Sequence, residues 1–90
     1  MSHKFVVEDE MHAEICGEYS SFEDAVTEVR RRADIPWNES PNRCPCTARK
    51  TCGRNYEVVE YDATKEPWIR LTSTPMLRLS ADEVTWLFDH

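Results

Sequence analysis

Three of the four cysteines of this chain fall within nine residues, at Cys44, Cys46 and Cys52. Proteins bind zinc with four ligands, usually thiolates and imidazoles, arranged as a tetrahedron. These thiols can supply three ligands. The candidates for the fourth are Cys16, His12 and His3. The close pair is Cys-Pro-Cys, however, whereas common zinc sites pair their ligands as Cys-x-x-Cys. We therefore predict that one or two of these cysteines pack into the core as small apolar side chains, and that no cofactor is bound.

Basic residues surround the same thiols, and no acidic residue lies between Ser40 and Tyr56. The basic residues are Arg43, Arg49, Lys50 and Arg54. Nearby positive charge favours the thiolate, which is the reactive form of cysteine. The thioredoxin-like signal, a Cys-x-x-Cys beside a βαβ unit, is nevertheless absent. A zinc-binding or redox-active thiol protein using Cys44, Cys46 and Cys52 is thus our alternative hypothesis.

The charge of the chain is unevenly distributed. Residues 30–54 hold seven basic and two acidic residues, a net charge of +5, whereas the rest of the chain has a net charge of −11. The overall charge of −6 argues against a nucleic-acid partner. A positively charged region attracts a negatively charged partner. The leading hypothesis is a non-catalytic binding module for an acidic protein or a second copy of itself.

The surface predicted for this partner consists of exposed basic side chains and one aromatic side chain. They are Arg43, Arg49, Lys50, Arg54 and Trp37. Because exposed charges contribute little to stability, we expect these arginines to be replaceable without loss of the fold.

Nothing in the sequence indicates an enzyme. No serine has the small-residue neighbours of a nucleophile elbow, and the only two glycines, Gly17 and Gly53, cannot form a phosphate-binding loop. The N-terminus has no apolar signal region, and no apolar run reaches the roughly 20 residues that cross a bilayer. We expect a cytoplasmic protein with no membrane contact.

The residues before the cysteines predict two strands and a helix. Lys4 to Glu8 is a short strand, and residues 8–10 form a polar connection. Residues 11–19 alternate between apolar and polar, which places Cys16 on the polar face of a half-buried strand. Ser20 with Glu23 predicts a capping box, and the apolar spacing that follows predicts a helix from Phe22 to about Ala33.

A long loop at about residues 37–55 separates this half from the second. Strands are predicted at 56–62, 68–74 and 76–79. Ser80 with Glu83 predicts a second capping box, followed by a short helix with Val84, Leu87 and Phe88 on one face. The fold class is therefore α+β, with an antiparallel sheet of four or five strands and two helices. The order is ββα, loop, ββ(β)α, in a single domain spanning residues 1–90.

The alternating strand with Met11, Ala13 and Ile15, followed by the capped helix with Phe22 and Ala25, resembles the strand-to-helix step of small antitoxin-like domains of the HicB type. The resemblance covers residues 11–25 and is a generic pattern. It assigns no family and no site residue.

Overall fold

A computed structural model describes residues 3–43, 53–80 and 83–88. The chain forms five strands and one helix in these ranges. They are β1 (His3–Asp9), β2 (Glu14–Tyr19), α1 (Phe22–Ala33), β3 (Gly53–Asp62), β4 (Ile69–Ser80) and β5 (Val84–Trp86). The strands make one antiparallel sheet in the order β2-β1-β3-β4-β5, and α1 packs against one face of it. This confirms a small α+β fold with a five-stranded antiparallel sheet.

Helix α1 has the predicted bounds but a different cap. The hydroxyl of Ser21, not Ser20, accepts a hydrogen bond from the Asp24 amide at 3.1 Å. Ser21 has the extended backbone of an N-cap residue, which satisfies one of the amides that begin the helix without an intrahelical partner. The inward face buries Ala25, Val26 and Val29, as the apolar spacing predicts.

The core lies between α1 and the sheet. Its fully buried side chains are Val7, Ala25, Val26, Val29, Tyr56, Val58, Met76, Leu77 and Leu79. At one end, the ring of Phe22 meets Phe5 and Phe88 edge-on, with centroid distances of 6.3 and 5.5 Å. Aromatic rings favour this geometry because the positive edge of one ring faces the negative face of the other.

Strand β2 differs from the sequence-based prediction. Residues 10–13 form the turn, so the strand begins at Glu14 rather than Met11. The pairing places Val7 opposite Gly17 and Glu8 opposite Ile15, which leaves Cys16 as an extra residue in a bulge. A bulge changes which face the following side chains occupy. Ile15 is consequently 68% exposed, whereas Cys16 packs against the core on the helix side.

The predicted C-terminal helix is wrong: Val84–Trp86 is strand β5, and α1 is the one helix of residues 3–43, 53–80 and 83–88. Leu77 pairs with Trp86 and Leu79 with Val84. A helix of this length forms few internal hydrogen bonds, so these bonds do not offset the free-energy cost of helix nucleation. In a strand, the β-branched and aromatic residues of this segment adopt the conformation that they favour, and their backbone forms hydrogen bonds to β4. The amide of Ser80 closes the turn by donating to the Glu83 carbonyl at 2.8 Å.

Strand β4 joins two segments that the sequence separates. It runs from Ile69 to Ser80 through Pro75, with irregular pairing to β3 beside Glu57 and beside Tyr61. Proline lacks an amide hydrogen and is tolerated in a strand at such irregularities. No helix within the described ranges is long and apolar enough to cross a membrane.

Candidate corner site

Five polar or charged side chains are buried where the C-terminal end of α1 meets strands β1 and β3. We call Asp9, Arg32, Asn42, Arg54 and Tyr56 the corner network; each is at most 7% exposed. Asp9 and Tyr56 lie directly opposite each other across β1 and β3, and Arg54 lies two residues before Tyr56. One end of the helix-covered sheet face is therefore polar instead of apolar.

Asp9 and Arg54 form the ion pair at the centre of the network. Arg54 Nη1 lies 3.0 Å from Asp9 Oδ2 and 2.5 Å from Glu14 Oε1. Burial opposes the charge of Arg54, but its hydrogen bonds to the two carboxylates outweigh burial and raise its pKa. Asp9 is completely buried. Its other oxygen accepts from the amides of Met11 at 3.1 Å and Asn55 at 3.0 Å, so both carboxylate oxygens are hydrogen-bonded.

His12 also contacts Asp9. Its Nδ1 lies 2.5 Å from Asp9 Oδ2, and the contact orients the imidazole ring. A carboxylate hydrogen-bonded to one ring nitrogen holds the imidazole of a histidine in a fixed orientation. This arrangement is the one that supports metal-ligating histidines.

Arg32 ties the end of α1 to the network. Its guanidinium donates to Glu28 at 2.6 Å and to the Tyr56 hydroxyl at 3.3 Å, and it lies over the Tyr56 ring at 5.3 Å. Burial opposes the charge of Arg32, but the hydrogen bonds to Glu28 and Tyr56 raise its pKa. Burial is the main reason that the pKa of Tyr56 is raised, so its hydroxyl stays protonated and can donate.

Glu28 is the acidic partner of two arginines. The hydrogen bond from Arg31 is the largest cause that lowers the pKa of Glu28 to about 2; burial opposes this shift and the Arg32 contact adds to it. Because its pKa in the folded state lies below the usual value of 4.5, ionised Glu28 stabilises the fold above pH 4.5. This contribution is lost as the pH falls through about 2.

Asn42 connects the network to the start of the long loop. Its amide nitrogen donates to the carbonyls of Arg32 and Ile35, both at 2.8 Å, and its side-chain oxygen accepts from Tyr56 at 2.9 Å. Arg54 then donates to the carbonyls of Asn42 at 3.2 Å and Arg43 at 2.8 Å. We call residues 38–43 the loop base. The network holds the loop base against the end of the sheet.

The chain re-enters the sheet beside the same network, at Gly53. A Cβ atom on Gly53 would lie 2.2 Å from the Leu79 carbonyl oxygen, far inside contact distance. Glycine is therefore required for β3 to approach β4 at its first residue. Because Arg54 is the next residue and binds the Arg43 carbonyl, the chain departs and returns at one corner of the fold.

The structure places the predicted partner-binding residues in different environments. Arg54 is 4% exposed, so the expectation that it is an exposed charge is wrong. Arg54 belongs to strand β3 and not to the loop, and its guanidinium pairs with carboxylates of the same chain. Arg43 is exposed, and Trp37 is partly buried against the core. Arg49 and Lys50 lie outside the described residues.

The metal candidates are only partly described. Cys44, Cys46 and Cys52 lie outside the described residues. Cys16 is a free, half-buried thiol, and burial is the largest cause of its raised pKa, which disfavours the thiolate. His3 contacts Glu60 at 2.6 Å at the opposite end of β1. Within residues 3–43, 53–80 and 83–88, no group of three or more His, Cys, Asp or Glu side chains is arranged to hold a metal ion.

Sequence reasoning missed Asp9, Asn42 and Tyr56 as members of one site. Asp9 was predicted to lie in the β1–β2 connection, but it is the last residue of β1 and faces the core. The available signal was Tyr56, an aromatic residue with a hydroxyl at the start of a predicted strand. A buried tyrosine hydroxyl needs a hydrogen-bond partner, but the sequence does not identify that partner.

Comparison with protein-family models, curated proteins and solved structures finds no match for this chain.

Proposed function

We propose that the protein is a non-catalytic binding module whose partner-binding surface is the long loop and its base, at the corner where α1 meets β1 and β3. The partner is an acidic protein surface or a second copy of the chain. Trp37 and Arg43 are the described members of this surface. Arg49 and Lys50 complete the basic segment predicted from the sequence.

The anchoring of the loop base by buried charges is the observation that carries this proposal. Removing a carboxylate and a guanidinium from water costs several kcal/mol for each ion, and well-packed apolar side chains of similar volume often give equal stability. Here Arg54 spends two of its donors on the backbone of Asn42 and Arg43. Fixing a backbone in advance reduces the entropy lost when it binds. The network therefore fixes the backbone of Asn42 and Arg43, from which the basic segment begins.

The charge pattern supports an acidic partner. Arg32 and Arg54 are neutralised internally, and Arg31 is paired with Glu28. Arg43 is exposed and forms no salt bridge within the described residues. It precedes a segment with two further basic residues and no acidic one. Exposed charges of one sign steer partners of the opposite sign and add more to association rate than to stability.

The double variant Arg43→Gln/Arg49→Gln is expected to keep the wild-type melting temperature and to lose salt-sensitive association. Arg43 is exposed, and association through such charges is screened over about 8 Å at physiological salt. Sedimentation velocity across a salt series and capture from cell extract measure the two forms of association. The matched control is Lys65→Gln/Arg78→Gln, which removes two exposed positive charges elsewhere. Equal loss in both double variants, or no loss in either, contradicts the proposal.

A metal-binding function is the second candidate, because Asp9 orients the His12 imidazole in the way that second-shell carboxylates orient ligating histidines. Protein purified without chelator should nevertheless contain less than about one zinc per chain and keep its circular dichroism in chelator, since the described fold closes around its own core. Elemental analysis beside a free-thiol count measures this. Stoichiometric zinc with sulfur ligation, or unfolding in chelator, favours the metal function.

A further inference from the structure

A cleft lies beside the loop base, between the end of α1 and the β4–β5 turn. Its volume is about 390 Å³. Its described lining residues are Ala33, Asp34, Ile35, Pro36, Trp37, Ser80, Glu83 and Val84. The walls combine an indole, two carboxylates and aliphatic side chains, with no basic side chain among them.

Three features of the cleft contribute negative charge. Asp34 is exposed and forms no salt bridge within the described part of the chain. The carboxylate of Glu83, also exposed, accepts from the neutral Thr85 hydroxyl at 2.8 Å and forms no salt bridge among the described residues. The cleft also lies at the carboxyl end of α1, where the aligned peptide dipoles add a partial negative charge. A cation is the complementary occupant.

The aromatic wall favours a guanidinium over a small inorganic cation. Trp37 lines the cleft, and a planar guanidinium stacks on an indole while donating to carboxylates. Within the described residues, two arginines already lie over aromatic rings, Arg30 at 4.9 Å from the Trp86 ring centroid and Arg32 at 5.3 Å from that of Tyr56.

An arginine that can reach such a cleft lies on the loop base itself. Arg43 is exposed and has no ion-pair partner within the described residues. It is adjacent to Asn42, whose side chain bonds the Ile35 carbonyl in the cleft wall at 2.8 Å. When a donor and its complementary cleft lie close together on one surface, a two-fold axis beside them brings each into contact with its counterpart on the other copy.

We propose that the occupant is a second copy of this chain, with Arg43 of each copy entering the cleft formed by Asp34, Trp37 and Glu83 of the other. This inference rests on the proposed function, because it identifies the partner of the same corner as the protein itself. The interaction is reciprocal, so each dimer contains two identical contacts. It is weak and salt-sensitive because its charged groups are exposed in the separate chains.

Charge reversal tests the contact on the full-length protein by sedimentation equilibrium at low and physiological salt. Asp34→Arg and Arg43→Asp should each raise the dimer dissociation constant by about tenfold or more, as close interfacial charge pairs do. The double variant Asp34→Arg/Arg43→Asp restores the pair with its charges exchanged, and it should return the dissociation constant to within about threefold of wild type. Circular dichroism and melting temperature confirm that each variant is folded.

Glu18→Arg is the matched control, because Glu18 is exposed on β2, at the opposite edge of the sheet from β5. It changes the net charge by the same amount as Asp34→Arg and therefore isolates the general repulsion between acidic chains. A wild-type protein that stays monomeric at millimolar concentration overturns the inference. So does a dimer that Asp34→Arg leaves unchanged, or a double variant that stays dissociated. If extract capture still depends on Arg43 and Arg49 in that case, the proposed function stands and the partner is another protein.

Discussion

Replacing Arg54 with methionine is expected to lower the free energy of unfolding by about 3–5 kcal/mol, the cost of leaving one member of a buried ion pair unpaired. Asp9 is completely buried, and Arg54 at 3.0 Å is its permanently charged partner, whereas His12 carries a charge only when it is protonated. The same change releases the carbonyls of Asn42 and Arg43, to which Arg54 donates. Chemical denaturation followed by circular dichroism measures the difference.

Arg43→Met is the control for this result, because it removes the exposed arginine of the loop base and leaves the buried Arg54 in place. Its effect should stay within about 0.5 kcal/mol, as for most surface substitutions. If the Arg54 variant is also destabilised by less than about 1 kcal/mol, the pair between Asp9 and Arg54 does not stabilise the corner, which contradicts the structural role given to the network.

Val29→Asp should have an effect of similar size through a different mechanism. Val29 is fully buried between α1 and the sheet, in one cluster with the apolar side chains of Val7 and Met76. An unpaired carboxylate there costs several kcal/mol. A domain of 90 residues has little stability to spare, so much of the variant should be unfolded at room temperature.

Thr27→Asp provides the comparison for Val29, since Thr27 is exposed on the same helix. It introduces the same side chain with the same helix propensity but no burial. The melting temperature of Thr27→Asp should stay within a few degrees of wild type. A Val29 variant that melts at the wild-type temperature means that α1 packs on a different face.

The sequence predicts α1 well because every local signal agrees there. Apolar spacing, acidic residues in the first turn, basic residues in the last turn and the proline that follows all favour a helix between Phe22 and Ala33. The capping residue alone was misplaced, by one position. Ser20 and Ser21 are both capable caps, and only the backbone conformation distinguishes them.

Strand faces and the last element depend on pairing, which the sequence does not show. The bulge at Cys16 inverts the face of Ile15, and it exists because of the register between β1 and β2. The Ser80–Glu83 pattern satisfies the capping-box rule, but the segment forms more stabilising backbone hydrogen bonds as an edge strand paired with β4. Tertiary pairing outweighs a local helix signal when the candidate helix is short.

The corner network was beyond sequence reasoning for a related reason. Its members Asp9, Arg32, Asn42 and Arg54 come from four separate segments, and each looks like an ordinary surface residue in its local context. Burial converts them into a connected set because charged and amide groups in a core must find partners. The basic loop was identified as the region of interest, whereas the anchoring of its base became visible only in three dimensions.

Amide hydrogen exchange in the Asn42→Ala variant tests most directly whether the corner network holds the loop base. Asn42 is neutral, so the change leaves the ion pairs intact while removing the bonds to Arg32, Ile35 and Tyr56. The amide of Arg43, which donates to the Glu39 carbonyl at 2.9 Å, should exchange about tenfold faster or more than in wild type, since each lost buried hydrogen bond is worth about 1 kcal/mol. After correction for any change in global stability, the core amides of Val7 and Val58 should keep their protection. Unchanged exchange at Arg43, or acceleration no greater than that of the core, would contradict the account.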